Sequence, residues 1–518
     1  MRLRISAVAL VMLLTACGGG TSDDAAEAAP VDPNGELVYL DASGNLDLDP
    51  AGSQNDSSFA QTGLYAIYER LLTMTPEGEL EPGLATEWGF VNDELTEFEL
   101  TLRDGVTFHD GAEFNADAVV KNIERSQNHP APGIAVKDGA ENIAKVEAQD
   151  EMTVLITLKE PDSGLAFRLA TQLGMMISPD AIDGSTGVDL DPVGAGPYMV
   201  DSYEPNDETV MSRFDDFWDG PGDRPAKFTA RYVADDQTRL NSLRSGEANL
   251  ALVSPRQVTE AENSGLEVTV NPTSSEWVMY LNTSGPLKDL KVRQAVSYAL
   301  DREGLAEALS FGTAEPVVQV FPGDSPYSSP DAVDYPHDPD KAKELLAEAG
   351  TPEVTLSWLL LNTPEYLQLA EAIQAQLADV GITVEFETVD VSQIGLYTSG
   401  EVGDVMMARW GGRADPLQTL EVLVGENASY APAGVISPDL ADKIVEIQGI
   451  ADSDAEARTT AVQEASALTT ELVATLPVIT RANIYAAEPG CVLNVNPYLG
   501  SGAPDLRDVT VGEGCSPS

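Results

Sequence analysis

The fold of this chain is decided by the stretch Glu276-Trp277-Val278-Met279-Tyr280-Leu281-Asn282 and its continuation to Arg302. The first seven residues form an apolar run with two large aromatic side chains, which predicts a strand. A Ser-Gly-Pro turn follows, and apolar residues at helical spacing then predict a helix: Val292, Val296, Ala299 and Leu300. Such a change of period marks a place where a chain leaves one lobe and enters another, with the aromatic side chains facing the cleft.

The predicted helix belongs to a spaced motif, which reads Asn282-x-x-x-Pro286-Leu287-x-Asp289-x-x-Val292-Arg293-Gln294-Ala295-x-x-Tyr298-Ala299-x-Asp301-Arg302. This motif resembles the hallmark of the extracytoplasmic solute-binding proteins of the peptide and nickel class, which are the family 5 receptors of ABC importers. The resemblance extends over further segments: Pro82–Trp88, Phe98–Gly111, Asn115–Val119 and Pro192–Tyr198, in which Ala195 replaces the family's Thr.

The resemblance implies a two-lobed α/β fold of the periplasmic-binding-protein type (class II, large cluster C), with an extra subdomain in the first lobe. It also implies a receptor that binds a small solute, such as an oligopeptide, between its lobes and delivers it to the permease subunits of an ABC importer. We expect a lipoprotein signal peptide over 1–17, a flexible tether over 18–35, the first-lobe core over 36–52, 187–275 and 484–518, the extra subdomain over 53–186, and the second lobe over 276–483.

Periodicity elsewhere favours an α/β chain. Apolar alternation predicts strands over 36–40, 98–102, 106–108, 154–158, 228–233, 248–253, 354–360 and 382–386. Capping residues and helical spacing predict helices over 65–72, 166–173 and 238–244, after Asn115, from Asp338 to Gly350, and from Pro364 to Gly381. The strand-helix-strand succession from 354 to 386 predicts a parallel crossover unit in the second lobe.

The charge balance is strongly acidic. Lys and Arg number 29 against 85 Asp and Glu, a formal net charge of −56 over 518 residues. Such a chain repels nucleic acid and anionic membrane surfaces, which argues against both as partners. The acids are spread along the chain, so they predict a solvated acidic surface, and a field that attracts cationic ligands is the alternative.

The N-terminus has the pattern of an export signal, with Arg2 and Arg4 before the apolar run Ile5–Leu14. Leu14-Thr15-Ala16-Cys17 resembles the lipobox of bacterial lipoproteins, which implies a lipid on Cys17. An ordinary signal peptide that contains a Cys is the alternative. We expect a monomer held by this lipid anchor alone on the outer face of the cell membrane, on the periplasmic side where the host has an outer membrane.

Two cysteines remain after Cys17, and an exported protein favours a disulfide between Cys491 and Cys515, with two free thiols as the alternative. The three histidines are far apart in sequence, at positions 109, 129 and 337. We therefore expect neither a metal site nor a cofactor.

Catalytic signatures are missing from the sequence. It contains no His-Glu-x-x-His, no Gly-x-Ser-x-Gly and no phosphate-binding loop, so we expect a binding protein and not an enzyme. Two alternatives stay open: a surface lipoprotein hydrolase that uses carboxylates, and the same fold used as a sensor or chaperone.

Ligand-binding residues can be proposed by position. Trp277 and Tyr280 precede Asn282, where the resemblance implies ligand contacts, although core packing explains two strand aromatics equally well. Trp410 stands before Gly411-Gly412, which permits a ligand to approach the backbone closely.

The residue three positions after Trp410 differs from the residue that the family has there. Peptide-binding relatives place there an Asp that pairs with the peptide ammonium, whereas this chain has Arg413, and its nearest acid is Asp415. Either Arg413 faces a carboxylate, phosphate or polyhydroxylated ligand, or Asp415 takes the ammonium and Arg413 pairs with it or with solvent. Arg481 and Asn55 are further cationic and polar candidates.

Overall fold

The computed structural model describes residues 29–42, 48–52, 61–185, 187–271, 273, 275–321, 323, 325–361, 364–389, 397, 399–400, 403–413, 415–425, 428, 437–451, 454–498 and 504–517. These residues form two α/β lobes, each built around a mixed sheet, and an antiparallel subdomain attached to the first lobe.

The strands are, in chain order, β1 (Glu36–Asp41), β2 (Leu72–Met74), β3 (Leu80–Pro82), β4 (Ala85–Phe90), β5 (Glu97–Leu102), β6 (Ile143–Ala148), β7 (Thr153–Leu158), β8 (Tyr198–Glu204), β9 (Glu208–Arg213), β10 (Lys227–Tyr232), β11 (Leu250–Leu252), β12 (Glu267–Asn271), β13 (Glu276–Leu281), β14 (Val354–Leu361), β15 (Ile382–Val389), β16 (Val405–Trp410), β17 (Thr475–Thr480), β18 (Asn483–Ala487), β19 (Val492–Leu493), β20 (Asn496–Pro497), β21 (Pro504–Asp505) and β22 (Thr510–Val511).

The α-helices are α1 (Gln61–Ile67), α2 (Ala116–Gln127), α3 (Ile134–Asn142), α4 (Leu165–Leu169), α5 (Pro179–Asp183), α6 (Asp236–Ser245), α7 (Val258–Asn263), α8 (Leu290–Ala299), α9 (Arg302–Ser310), α10 (Pro339–Glu348), α11 (Pro364–Ala378), α12 (Pro416–Val424), α13 (Pro438–Gln448) and α14 (Ala455–Leu472). Short 3-10 helices lie at Gln172–Gly174, Pro255–Gln257 and Pro286–Lys288. Across the described ranges, none of the helices combines the length and the apolar character that a membrane crossing requires.

The first lobe contains a seven-stranded sheet in the order β12-β18-β11-β1-β10-β9-β8. Its central strand β1 runs parallel to β10 and β11. Alternate residues of β1 enter two different apolar cores, Leu37 and Tyr39 on one face and Val38 and Leu40 on the other. A strand covered on both faces reads as a continuous apolar run, which explains the sequence of β1.

The extra subdomain contains the antiparallel sheet β4-β5-β7-β6, and helix α2 packs against it. The predicted cap Asn115 accepts a hydrogen bond from the Ala118 amide at 3.0 Å, so α2 begins where the sequence indicates. Asn122 joins this helix to the core through two hydrogen bonds with the backbone of Ile177, at 2.8 and 2.9 Å.

The second lobe contains a five-stranded sheet in the order β15-β14-β16-β13-β17. β14 and β15 are parallel and α11 connects them, as the sequence predicts. β13 lies between β16 and β17, and all six of its residues are buried. The strand that begins the deciding stretch is therefore an inner strand of this sheet and also the first strand after the crossing from the first lobe.

Two buried arginines of the family motif hold the second lobe together. Arg293 donates to the carbonyl of Leu287 at 2.8 Å and to that of Leu472, the last residue of α14, at 2.7 Å. Arg302 donates to the carbonyl of Pro477 in β17 at 3.2 Å. Helix ends and strand bulges leave carbonyls without backbone donors, and a guanidinium supplies several donors at once. These contacts fix α8, α9, α14 and β17 around β13.

The two chain ends lie side by side on the first lobe. Cys491 and Cys515 are joined by a disulfide with a Cα–Cα distance of 5.4 Å. The Asp32 amide donates to the Val511 carbonyl at 2.8 Å, and Val31 forms a bridge with Gly512. The tether that the sequence predicts over 18–35 is therefore too long, because residues 29–35 pair with the C-terminal tail.

Three local predictions differ from the structure. The helix predicted over 65–72 is displaced, since α1 ends at Ile67 and Leu72 pairs with Pro82 in a hairpin. The strand predicted over 106–108 is reduced to a single bridge between Thr107 and Glu113. The helix predicted over 166–173 is broken at Thr171, whose backbone is extended.

Replacing Cys491 and Cys515 together by Ser should lower the free energy of unfolding by about 3 kcal/mol, because the disulfide closes a loop between residues 24 positions apart. Thermal unfolding of the double variant measures the loss, and wild type unfolded in a reducing agent serves as the control. An unchanged unfolding temperature would show that the tail does not depend on this bond.

Candidate functional site

The chain crosses between the lobes twice, and the two crossing segments are bonded to each other. The Arg481 amide donates to the Ser275 carbonyl at 2.8 Å, and the Thr273 hydroxyl donates to the Arg481 carbonyl at 2.6 Å. Asn271 donates from its side chain to the Asn483 carbonyl at 3.4 Å. We call the described residues of these segments, 271, 273, 275–276 and 480–483, the hinge.

Three side chains gather where the hinge enters the second-lobe sheet, and we call them the Trp410 cluster: Glu276, Trp410 and Arg413. Glu276 and Trp410 are directly opposite in the antiparallel pair of β13 and β16, so their side chains share one face of the sheet. Trp410 is 2% exposed, and the Arg413 guanidinium lies over its ring at 4.8 Å. Ser275 fixes the end of β16 by donating to the Trp410 carbonyl at 2.7 Å.

The structure separates the two candidates that follow Trp410. Asp415 is 1% exposed, caps α12 by accepting from the Leu417 amide at 3.0 Å, and accepts from Arg458 at 2.7 Å. Arg413 is half-buried and donates to the Gly412 carbonyl at 3.0 Å, while its Nε meets no acceptor among the described residues. Arg413 therefore keeps a donor for a ligand, whereas Asp415 holds two partners through Oδ1 and has only its Oδ2 without one among the described residues.

Trp277 and Tyr280 lie on opposite faces of β13, because this strand stays in regular register with β16. The register shift at Trp277 concerns β17 alone, so it does not bring the two rings together. Trp277 packs against the Tyr366 ring at 4.8 Å, and the Tyr280 carbonyl accepts from the Tyr397 hydroxyl at 2.6 Å. Both aromatic side chains are buried, and these contacts favour core packing.

Asn282 forms a turn at the far end of β13. Its amide nitrogen donates to the Gly403 carbonyl at 3.1 Å, and its oxygen accepts from the Ser284 amide and hydroxyl at 3.1 and 2.6 Å. Both ends of the side chain are thus engaged in the turn. Asn55 and Cys17, the other polar and lipidation candidates, lie outside the described residues.

A second basic position lies on the hinge itself. Arg481 donates to the Asn483 side chain at 3.0 Å. Burial and the nearby positive charge of Arg409 lower the pKa of Arg481 to about 10, although Glu365, Tyr485 and Asp41 act in the opposite direction. The guanidinium groups of Arg481 on the hinge and Arg409 on β16 are therefore near each other.

The first lobe contributes an acidic cavity at the carboxyl ends of β1 and β10. It is small, with a volume of about 30 Å³, and its lining includes Tyr39, Asp41, Thr62 and Tyr203. Asp41 accepts from the Tyr39 hydroxyl at 2.9 Å and from the Ala42 amide at 2.6 Å. Ligands of α/β proteins commonly bind at the carboxyl ends of parallel strands, and this cavity lies at such an end of the first-lobe sheet.

The lobes also touch away from the hinge, through buried charges. Arg168 of the extra subdomain donates to Asp162 at 3.1 Å and to Glu421 of α12 at 2.8 Å. The Ser163 hydroxyl donates to the Ile447 carbonyl at 3.1 Å. Burial raises the pKa of Glu421, and the Arg168 charge opposes this rise. We call these five residues the lobe contact.

Sequence reasoning did not identify Glu276 or Arg409 as site residues. The signal for Glu276 is a single acid inside an otherwise apolar six-residue strand. Arg409 offers a weaker signal, as a cation at the penultimate position of a buried strand. In the parts of the chain that the structure describes, His, Cys, Asp and Glu side chains form no group of three or more that could hold a metal.

Comparison with known proteins gives a family match over most of the chain. A model described as bacterial extracellular solute-binding proteins, family 5 Middle, matches residues 79–431. The glutathione-binding protein GsiB of Salmonella typhi is 32% identical over 372 residues, which make up 71% of this chain and 72% of the relative.

Solved structures show the same fold. The periplasmic binding protein DppA of Helicobacter pylori, in complex with the peptide STSA, has a TM-score of 0.77 at 22% identity, covering 92% of this chain and 98% of its own. NikA of Staphylococcus aureus, in complex with Ni(L-His)2, has a TM-score of 0.74 at 21% identity, covering 92% and 100%. These likenesses establish the two-lobed periplasmic-binding-protein fold that the sequence predicts.

Glu421→Gln should weaken the lobe contact, because the neutral amide gives Arg168 a poorer acceptor in a buried position. We expect a larger radius of gyration for the ligand-free variant in small-angle X-ray scattering. Lys443→Gln, which removes two ion pairs at the surface of the second lobe, is the matched control. Identical scattering from both variants and wild type would mean that this contact does not hold the lobes together.

Proposed function

Because the chain belongs to the bacterial extracellular solute-binding proteins of family 5, we propose that it binds a small peptide-like solute between its lobes and passes it to the permease subunits of an ABC importer. The solute carries at least one carboxylate. Two lobes joined by two hydrogen-bonded crossing segments suit a receptor that closes on its ligand. The closed form then differs in shape from the empty form.

One observation carries the ligand class: the Arg413 guanidinium lies on Trp410 with its Nε unused among the described residues. A planar guanidinium held on an aromatic ring is ready for a two-pronged contact with a carboxylate. Arg481 and Arg409 add positive charge at the hinge. Together these groups favour an anionic group on the solute.

Curated relatives support the same class, since they are named for binding glutathione, a tripeptide with two carboxylates. We propose glutathione or a short peptide of similar charge as the solute. Micromolar affinity corresponds to about −8 kcal/mol, which one paired charge and an aromatic wall supply in a closed cleft.

The position of the protein in the cell forms part of the proposal. Leu14-Thr15-Ala16-Cys17 supports a lipid on Cys17, which would hold a monomeric receptor on the outer face of the membrane. The receptor works without a cofactor and does not alter its solute. Recovery of unchanged solute after incubation separates this receptor from the alternative of a carboxylate-dependent hydrolase.

The sheets suggest how the chain divides into moving parts. We propose that the second lobe extends from residue 276 to the hinge at 480–483, and that the first lobe with its extra subdomain takes the rest of the mature chain. The sheet strands β13 to β17 belong to the second lobe on this division, and β1 to β12 with β18 to the first.

Arg413→Ala should weaken glutathione binding by about 10- to 100-fold, the effect of losing a hydrogen-bonded charge pair. Arg413→Lys should recover only part of the affinity, because Lys retains the charge but lacks the planar fork. Isothermal titration calorimetry measures both variants.

Arg244→Ala serves as the control, since Arg244 pairs with Glu260 on the exposed surface of the first lobe. Wild-type affinity in Arg413→Ala would move the carboxylate contact away from the Trp410 cluster. Absence of glutathione binding by wild type would reject this solute class.

A further inference from the structure

Glu276 is a fully buried acid whose carboxyl group is not used by the protein. The residue is 0% exposed, and neither carboxyl oxygen has a hydrogen-bond partner among the described residues. Other buried carboxylates are paired with arginine: Asp415 with Arg458, and Asp162 with Arg168. Glu276 differs from both acids, because neither of its oxygens is paired with a described residue.

A buried acid without a partner destabilises the folded protein. Leaving a polar group buried and unsatisfied costs about 1–3 kcal/mol, and more when the group is charged. An apolar residue at this position would fit a strand whose other five residues are Trp, Val, Met, Tyr and Leu. Such a cost is typical of functional sites, where a group is kept for a ligand that is absent from the empty protein.

The geometry of the Trp410 cluster places this acid next to the proposed carboxylate site. Glu276 stands directly across from Trp410 in the sheet, and Arg413 covers the Trp410 ring. The Glu276 carboxyl group, which has no hydrogen-bond partner in the described part of the chain, and the Arg413 guanidinium, which has one unpaired donor there, therefore both lie next to Trp410. Opposite charges separated by an apolar surface match a solute that carries an ammonium and a carboxylate.

We propose that Glu276 receives the ammonium group of the solute, so that the Trp410 cluster selects zwitterionic peptides. The proposal deepens the proposed function and rests on it. Glu276 is the specificity-determining residue for the amine, and Arg413 contacts a carboxylate of the same molecule.

Binding of the ammonium group to Glu276 should change the number of protons that the protein holds. Burial raises the pKa of Glu276 well above its ordinary value of 4.5, which favours the protonated acid in the empty site. The entering ammonium stabilises the carboxylate, and the carboxyl proton leaves for the solvent. Each bound zwitterion should therefore release up to one proton.

Charged groups surround Glu276 on the neighbouring elements. Arg409 and Arg413 lie on and after β16, Arg481 follows β17, and Glu315 pairs through its backbone with Thr480. None of these charges contributes to the raised pKa of Glu276. Neither oxygen of Glu276 accepts a hydrogen bond from these arginines, so the carboxyl group can take a donor from the ligand.

The first lobe offers another acid for an ammonium group, Asp41 in the acidic cavity. Its carboxylate already accepts hydrogen bonds from Tyr39 and Ala42. Glu276 has no comparable partner among the described residues and lies closer in the fold to Arg413. Selection of the amine at Asp41 is an outcome that the experiment below distinguishes.

The test compares glutathione with glutaryl-Cys-Gly, the analogue that lacks only the amino group. Calorimetry in two buffers of different ionisation enthalpy gives both the affinity and the number of protons released. Wild type should bind glutathione with release of up to one proton, and the analogue at least about 10-fold more weakly with no release. Glu276→Gln should bind the two probes with similar affinity and release no proton.

Equal affinity of wild type for the two probes, or discrimination that persists in Glu276→Gln, would overturn the proposal and leave Asp41 or another acid as the amine contact. Both results still show binding of a carboxylated solute, so the proposed function survives them. Failure of wild type to bind either probe rejects the proposed function and this proposal together. Glu315→Gln, which changes an exposed acid near β17, is the matched control.

A ligand-free measurement tests the same claim through stability. A pKa raised in the folded state means that stability is fully present below about pH 4.5 and is lost as the pH rises toward the folded pKa. Glu276→Gln cannot ionise, so its unfolding temperature should exceed that of wild type at about pH 8, and the difference should shrink near pH 4.5. A variant less stable than wild type at both pH values would show that Glu276 has a structural partner.

Discussion

The donation of hydrogen bonds by Arg293 and Arg302 to backbone carbonyls is the constraint on which the second lobe depends. These guanidiniums join helices α8 and α9 to the end of α14 and to β17. β17 in turn pairs with β13, and β13 pairs with β16, which ends in Trp410. The hinge, the ring of Trp410 and the acid opposite it are therefore linked through the sheet to two buried arginines of the second-lobe core.

Acidic residues are paired with arginine in the interior of this protein, whereas its surface carries an excess of acids. The chain carries 85 acids against 29 Lys and Arg, yet its buried acids are largely matched with arginine. Asp505, for example, lies between Arg507 and Arg70, which lowers its pKa despite burial. With so few cations available, the arginines are concentrated at buried junctions, and the solvated surface stays acidic. Against this pattern a buried acid without a cation is conspicuous.

Much of the fold could be predicted from the sequence because local signals agree with it. Alternation gives β14 and β15, and the caps Asn115 and Asp338 start their helices where the sequence indicates. The helix at 65–72 was misplaced because Leu72 is held by a hairpin partner, Pro82, which periodicity cannot reveal. Local pattern thus predicts elements well, and it fails where pairing decides a boundary.

The candidate site was less predictable, since its properties depend on partners distant in sequence. Whether Arg413 or Asp415 is available depends on Arg458, which follows Asp415 by 43 positions. The role of Glu276 depends on burial without a partner, a property of the folded surroundings that its own strand does not encode. Trp410 could be singled out because its glycine neighbours are a local signal.

The pairing of residues 29–35 with the C-terminal tail has a mechanical consequence. A pull that arrives from the N-terminal side of Ala29 passes first into backbone bonds with Gly490 and Val511, next to the bond between Cys491 and Cys515. A force applied at Ala29 therefore acts on the first lobe directly, and its path into that lobe does not run through the two hinge segments.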